Sequence, residues 1–232
     1  MLEAMSRPKL LLSWSSGKDS AWALHVLRSR GEYDVVGLFT TFNAAFDRVA
    51  MHGVRRELAQ TQADAAGLPL HWIGLAQSCS NAEYERIMQQ FVSRALAQGV
   101  THMAFGDLFL ADIRAYRERQ LTGTGITPVF PLWGADTFVL AREMIAAGLR
   151  AVVATVDPKH LPREFAGQGF DALTARLPAS VDPCGENGEF HTFCYAGPMF
   201  SRPVPWCPGE IVERDGFVFA DLILQQEGKP CA

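Results

Sequence analysis

The run Ser15-Ser16-Gly17-Lys18-Asp19-Ser20 has the make-up of an anion cradle. It follows an apolar stretch, Lys9–Trp14, that reads as a strand buried on both faces, and leads into a helical pattern over about Ala21–Arg30. At such a junction unpaired backbone N–H groups and the positive end of the helix dipole converge on one point, which favours phosphate. Ser15, Ser16 and Ser20 add hydroxyl donors, Gly17 lets the backbone come close, and Lys18 supplies a full charge. Asp19 suits the first helical turn or a magnesium ion. The loop lacks the GxxxxGK(S/T) pattern of a Walker A loop.

A second group, Gly106-Asp107, follows the apolar stretch Thr101–Phe105, at what would be the carboxyl edge of a parallel sheet, where ligands of open α/β sheets lie. Asp112, Arg114, Tyr116 and Arg117 open the next helix and could look into the same crevice. The third group is Asp182-Pro183-Cys184-Gly185-Glu186-Asn187-Gly188-Glu189-Phe190-His191-Thr192. Its two carboxylates, flanked by glycines, lie in a segment read as too irregular for a core element, and such loops tend to carry function. Glu186 and Glu189 could take up a proton, orient a nucleophile or bind a metal. His191 adds a group that ordinarily titrates near neutral pH.

These groups need a scaffold, and the first half of the chain supplies its pattern. Short apolar runs (Lys9–Trp14, Asp34–Thr41, Pro69–Leu75, Thr101–Phe105, Thr127–Leu132) alternate with helical periodicity, as βα units around a parallel sheet do. The helices fall at about Ala21–Arg30, Met51–Ala66, Tyr84–Leu96 and Asp112–Leu121. After Leu132 a helix (Thr137–Ala147) and a valine-rich strand (Leu149–Val156) precede a looser stretch through Pro208. A hairpin then joins Glu210–Glu213 to Gly216–Leu224 across Arg214-Asp215-Gly216. The expected class is α/β: a doubly wound parallel sheet over residues 1–132 and a second, smaller α/β domain over 133–232.

With 232 residues the chain is long enough for a sizeable core, and a net charge of −4 argues against a broad nucleic-acid surface. No apolar run is long enough to span a bilayer and no signal peptide is apparent, so the chain reads as cytoplasmic. Five cysteines without a CxxC pair speak against a disulfide framework. Cys184, His191, Cys194 and Cys207 lie near one another in sequence, but without the close ligand pairs of most structural zinc sites.

The loop at Ser15–Ser20 resembles the PP-loop, usually SGGxDS, of ATP enzymes that release pyrophosphate. Ser16 stands in place of a glycine and would be strained if the turn needs positive φ. Together with Gly106-Asp107, Pro131-Leu132-Trp133-Gly134 and Gly185-Glu186-Asn187-Gly188-Glu189-Phe190-His191-Thr192, it is similar to the diphthine–ammonia ligase family, whose signature is GEGGE(Y/F)xT. Asn187 departs from that signature, and His191 stands where some members carry an acid.

The resemblance implies a HUP-type fold and a ligase using ATP and Mg²⁺. A substrate carboxylate would be adenylated with release of pyrophosphate, and ammonia would then displace AMP. In eukaryotic and archaeal members that carboxylate belongs to diphthine on translation elongation factor 2; a small molecule is the other acceptor weighed. By this resemblance Ser15, Ser16, Gly17, Lys18, Asp19, Ser20, Gly106 and Asp107 hold ATP, with Asp19 on the metal. Lys18, Glu186 and Glu189 would be catalytic, and Gly185, Asn187, Gly188, His191 and Thr192 would meet the substrate. A homodimer is left open. The rival readings are a PP-loop enzyme acting on tRNA, a non-catalytic ATP-binding module, and Cys184 as a thiol nucleophile.

Overall fold

The computed structural model describes residues 6–43, 48–49, 53–76, 78–226 and 231. Strand β1 (Lys9–Ser13) enters the Ser/Gly turn, and helix α1 (Lys18–Arg30) leaves it. The helix starts at Lys18 rather than Ala21, so Lys18, Asp19 and Ser20 form its first turn. It ends where Gly31 takes up φ 66°, a left-handed cap that costs glycine little. Then follow β2 (Asp34–Asn43), β3 (Arg48–Val49), α2 (Arg56–Ala66), β4 (Leu70–Leu75), α3 (Asn81–Ala97), β5 (Val100–Ala104), α4 (Ala111–Leu121) and β6 (Thr127–Val129). The helix expected from Met51 begins at Arg56; Met51 itself, and Phe46 in the preceding loop, lie outside the described residues.

Strand β1 is flanked by β2 and β5, β2 by β4, and β5 by β6, all parallel, while β3 adds a short antiparallel pairing at Phe42 and Asn43. The chain winds outward through β2 and β4, then returns to the other side of β1. That reversal puts a topological switch point between the carboxyl ends of β1 and β5. Helices on both faces explain why Leu10, Leu11 and Leu12 are all buried. Each such leucine contributes about 1.5–3 kcal/mol by leaving water.

The second half holds α5 (Thr137–Ala146), β7 (Arg150–Val156), α6 (Phe170–Thr174), β8 (Phe190–Ala196), β9 (Trp206–Arg214) and β10 (Phe217–Leu224). Asp136 caps α5 by accepting the N–H groups of Phe138 and Val139 at 2.9 and 3.1 Å. The four strands form an antiparallel sheet in the order β8-β7-β10-β9. The β9–β10 hairpin turns at Asp215 and Gly216, with φ of 50° and 82°, the sense that suits strand twist.

Two expectations are corrected here. Phe190–Ala196 is a core strand, although the sequence reads as loop through Pro208. Phe190, Thr192, Phe193 and Cys194 are all buried, so no alternation betrays it. Cys207, at the start of β9, and Cys231 are disulfide-bonded, their Cα atoms 5.5 Å apart. Among the described residues no group of three or more His, Cys, Asp or Glu side chains could hold a metal, and Cys207 is taken up by the disulfide. No helix among them is long and apolar enough to cross a membrane.

One apolar cluster runs unbroken from Leu10 and Leu24 beside the first sheet to Val152 and Phe193 in the second. Polar ties cross beside it. Asp221 on β10 binds Arg48 at 2.9 Å and Arg55 at 2.7 Å, and Arg28 on α1 donates to the Met199 carbonyl at 3.1 Å.

Candidate active site

The Ser/Gly turn lies at the switch point, and β8 closes over it. The Lys18 N–H donates to Thr192 Oγ1 at 3.1 Å, and the Cys194 N–H donates to the Ser16 carbonyl at 2.9 Å. Gln62, fully buried on α2, donates to the carbonyls of Ser16 and Cys194 at 2.9 and 2.6 Å. Within the turn Ser15 and Ser20 pair through their hydroxyls at 3.2 Å, and the Gly17 N–H points to Ser15 Oγ at 3.3 Å.

Ser16 is fully buried at φ 67°, a conformation that costs a side chain of the order of 1–3 kcal/mol. Its hydroxyl donates to the Ser15 carbonyl, which recovers part of that cost. Ser16→Gly is therefore expected to raise unfolding free energy by about 1 kcal/mol, read from urea denaturation midpoints.

Lys18 is 2% exposed. Its ammonium binds Asp19 at 2.9 Å, donates to the Cys184 carbonyl, and lies 5.4 Å from the ring centres of both Phe170 and Phe190. Burial alone would lower its pKa; the Asp19 carboxylate more than offsets this, so Lys18 stays charged.

Gly106 approaches the first turn of α1 so closely that a Cβ would sit 3.2 Å from the Ser20 nitrogen and from the Asp19 carbonyl carbon. Only glycine leaves those N–H groups free to face a ligand. Gly106→Ala is expected to weaken ATP binding about tenfold with little change in melting temperature, checked by calorimetry. Asp107 follows, its carboxyl raised in pKa by burial and held 3.7 Å from Arg117 Nε. Asp19 Oδ1 and Asp107 Oδ2 are both buried without a hydrogen-bond partner. Mg²⁺ is commonly held by one or two carboxylates together with phosphate oxygens and water, so this pair fits such an ion.

The Asp182–Glu189 loop makes the opposite wall. Asp182 organises it, accepting the N–H groups of Cys184 and Glu186 at 2.9 and 3.3 Å and the Thr137 hydroxyl at 2.6 Å. Gly185 has φ 68°, and a Cβ there would lie 2.7 Å from the Phe190 carbonyl oxygen, so no other residue fits. Asn187, where the signature has glycine, is not at positive φ; its amide donates to Glu189 at 3.0 Å.

The two glutamates differ. Glu186 lines the cleft and accepts the Leu108 N–H at 2.7 Å and the Phe109 N–H at 3.4 Å. Its pKa is pushed up to about 7, first by burial, then by the carboxylates of Asp19 and Asp107 against those two N–H bonds. Glu189 is buried and turned into its own loop, where one oxygen accepts the Asp182 N–H at 3.1 Å and the other has no partner.

His191 lines the cleft, but burial and the Lys18 charge lower its pKa to about 4, so it is neutral at neutral pH, contrary to expectation. Burial pushes the Cys184 thiol up to about 12, which removes the thiolate a nucleophile requires.

These groups surround a cavity of about 630 Å³. Ser15, Lys18, Asp19, Ser20, Gly106, Asp107, Gly185, Glu186, Asn187, Gly188, His191 and Thr192 all line it; Ser16, Gly17 and Glu189 lie behind its surface. Arg117 reaches it, as its helix position suggests, whereas Arg114 turns away to stack on Phe130 and Trp133, 4.8 and 4.7 Å from their centres. Phe39 and Thr40 were missed: Phe39 ends the segment of β2 paired to β1 and meets Phe105 edge-on, their centres 6.1 Å apart, and both Phe39 and Thr40 line the cleft. The sheet-edge rule that singles out Gly106 applies to them equally.

The family model for the diphthamide synthase N-terminal domain matches residues 8–127, from before the Ser/Gly turn to the start of β6. A diphthine–ammonia ligase of Schizosaccharomyces pombe is 24% identical over 89% of this chain, which spans 37% of that protein. One of Danio rerio is 25% identical over 90% of this chain and 90% of its own length, and one of Mus musculus is 31% identical over 42% and 39%. This chain thus spans well under half the length of some curated relatives and most of another. Among solved structures the U34-tRNA thiolase NcsA of Methanococcus maripaludis, with its 4Fe-4S cluster, overlaps 61% of this chain and 57% of its own at 15% identity and a TM-score of 0.38. The match over more than half of the sequence takes in β1, the Ser/Gly turn and Gly106-Asp107, and by it the chain belongs to the diphthine–ammonia ligase family, that of the diphthamide synthase N-terminal domain.

Proposed function

We propose that this chain is an ATP-dependent ligase that joins ammonia to a carboxylate through an acyl-adenylate, as its relatives' name, diphthine–ammonia ligase, suggests. The observation that carries the reading is one cleft holding a Ser/Gly turn at a helix start, two buried carboxylate oxygens without a hydrogen bond and a glutamate with a pKa near 7. Residues up to 132 would serve as the ATP-binding part and those after it as the part that meets the acceptor.

In this reading the N–H groups of Asp19 and Ser20 and the Lys18 ammonium face the β- and γ-phosphates. Phe39, Thr40 and Phe105 would receive the adenine and its sugar. An acceptor carboxylate oxygen forms the new bond to the α-phosphorus as the bond to the bridging oxygen breaks and pyrophosphate leaves. Lys18 offsets the negative charge gathering on that leaving group. Asp19 and Asp107 would hold Mg²⁺, which when bound neutralises phosphate charge. Ammonia then attacks the acyl carbon, AMP departs with the bonding electrons, and Glu186 takes the surplus proton. Glu189 would position the loop rather than touch substrate. Diphthine of translation elongation factor 2 is the acceptor the family name points to.

Exchange of labelled pyrophosphate into ATP, with Mg²⁺ and a set of carboxylates, tests the proposal. Exchange that depends on a carboxylate supports it. ATP bound but never exchanged with any acceptor, diphthine-bearing elongation factor included, sinks it.

A further inference from the structure

Of the two cations that line the nucleotide cleft, Lys18 and Arg117, only Arg117 has donors to spare. Lys18 is fully engaged, its buried ammonium enclosed by Asp19, the Cys184 carbonyl and two rings. Arg117 is held differently. Its guanidinium lies over Phe105, 4.9 Å from the ring centre, and its Nε is buried with no hydrogen-bond partner. Asp107 stands 3.7 Å from that nitrogen, an ion pair too long to be a hydrogen bond. The neighbouring acid, Glu118, is taken by Arg114 at 2.8 Å. On its far side Arg117 borders a groove between α3 and α4, and none of the residues lining that groove is acidic. The guanidinium is thus aimed by a ring face and one carboxylate, with its hydrogen-bonding capacity unspent.

The order of strands indicates which ligand it would meet. Strand β1 lies between β2 and β5. The ligase reading seats adenine at the end of β2, on Phe39 and Thr40, and phosphates over the Ser/Gly turn that follows β1. A nucleotide laid that way runs on toward the end of β5, where Gly106-Asp107 leads into α4 and Arg117. Its terminal phosphates then come nearest to Arg117. Charge points the same way. Asp19, Asp107 and Glu186 already face the two cations across this cleft, so a triphosphate enters without a surplus of positive charge to meet it. A cation with free donors at the phosphate end answers that need.

We infer that Arg117 is a second pyrophosphate-binding residue: its fork takes oxygens of the β- and γ-phosphates and offsets the charge that passes to pyrophosphate as the bond from the α-phosphorus to the bridging oxygen breaks. The inference rests on the ligase reading above. A planar guanidinium suits two phosphate oxygens at once, which an ammonium does not.

Titration calorimetry with ATP, inorganic pyrophosphate and AMP tests it, each run with Mg²⁺ and again with a chelator. Arg117→Gln is expected to lose about 10–100-fold in affinity for ATP and pyrophosphate, and none for AMP. Unchanged AMP binding shows that the cleft is intact. Arg117→Lys keeps a charge beside Asp107 but not the fork, and should lose most of the same affinity. The chelator separates contact from indirect support. A residue that touches phosphate matters with and without metal, whereas one that only steadies Asp107 for Mg²⁺ matters with metal alone.

Unchanged ATP affinity in Arg117→Gln, an equal loss for AMP, a loss confined to Mg²⁺, or full rescue by lysine overturns the assignment. The two readings fail separately. Affinity losses as expected, with no pyrophosphate exchange by the wild type for any acceptor, would remove the ligase reading and leave Arg117 on the nucleotide. Carboxylate-dependent exchange that Arg117→Gln leaves undiminished would keep the ligase and remove this role.

Discussion

Lys18→Met is expected to cut pyrophosphate exchange by about 10²–10³-fold, the usual loss when one positioned donor to a developing charge is removed. The same change should destabilise the fold by about 3–5 kcal/mol, because it leaves Asp19 as a buried carboxylate without its counter-ion. Those effects have different origins and can be separated. Asp19 binds the Lys18 ammonium at 2.9 Å, and both side chains are largely withdrawn from water. The double variant Lys18→Met/Asp19→Asn removes both charges at once and should recover most of the lost stability. Exchange should stay at or below the level of the single variant, since Asp19 is also assigned to Mg²⁺. Recovery of activity along with stability would mean that Lys18 only holds the fold, and its catalytic assignment would fall.

That experiment also bears on why Lys18 was legible in the sequence and its surroundings were not. A strand, a glycine–serine turn and a charged first helical turn are contiguous, so the proposed phosphate site is written in adjacent residues. The ammonium's other contacts come from Cys184, Phe170 and Phe190, more than 150 residues away, which no local pattern announces. Strand β8 escaped notice for a related reason. Its free edge is met by the Ser/Gly turn, and Phe190, Thr192, Phe193 and Cys194 are all buried, so Phe190–Ala196 lacks the alternation that marks a half-buried strand. The differing orientations of Glu186 and Glu189 were equally hidden. They depend on which backbone N–H groups each carboxylate meets, at Leu108 for one and at Asp182 for the other. Ser16 is the converse case: a residue type at odds with a glycine pattern, for which strain was expected and a φ of 67° is found.

Glu186→Gln separates proton uptake from loop support. Gln keeps the Oε1 acceptor that meets the Leu108 and Phe109 N–H groups, so the loop should hold its position and pyrophosphate exchange should change little. Amide formation should fall by about 10²-fold, since a base that takes the ammonia proton is gone. The pH profile gives the sharper reading. In the wild type Glu186 is protonated below about 7 and is no base there, so amide formation should rise with pH through that value, and the Gln variant should lack this limb. Stability should move the other way. A carboxyl whose pKa is raised on folding binds its proton more tightly in the native state. Its favourable contribution is full below the unfolded pKa of about 4.3 and is lost as pH rises through about 7. Glu186→Gln should therefore be more stable than wild type at pH 8, on the order of 1 kcal/mol once the screening of a partly exposed group is allowed for, and no more stable at pH 4. A variant that loses amide formation yet keeps the wild-type pH limb would show that the titrating base lies elsewhere. Equal stability of the two proteins at pH 8 would show that the Glu186 carboxyl is not held above its ordinary range.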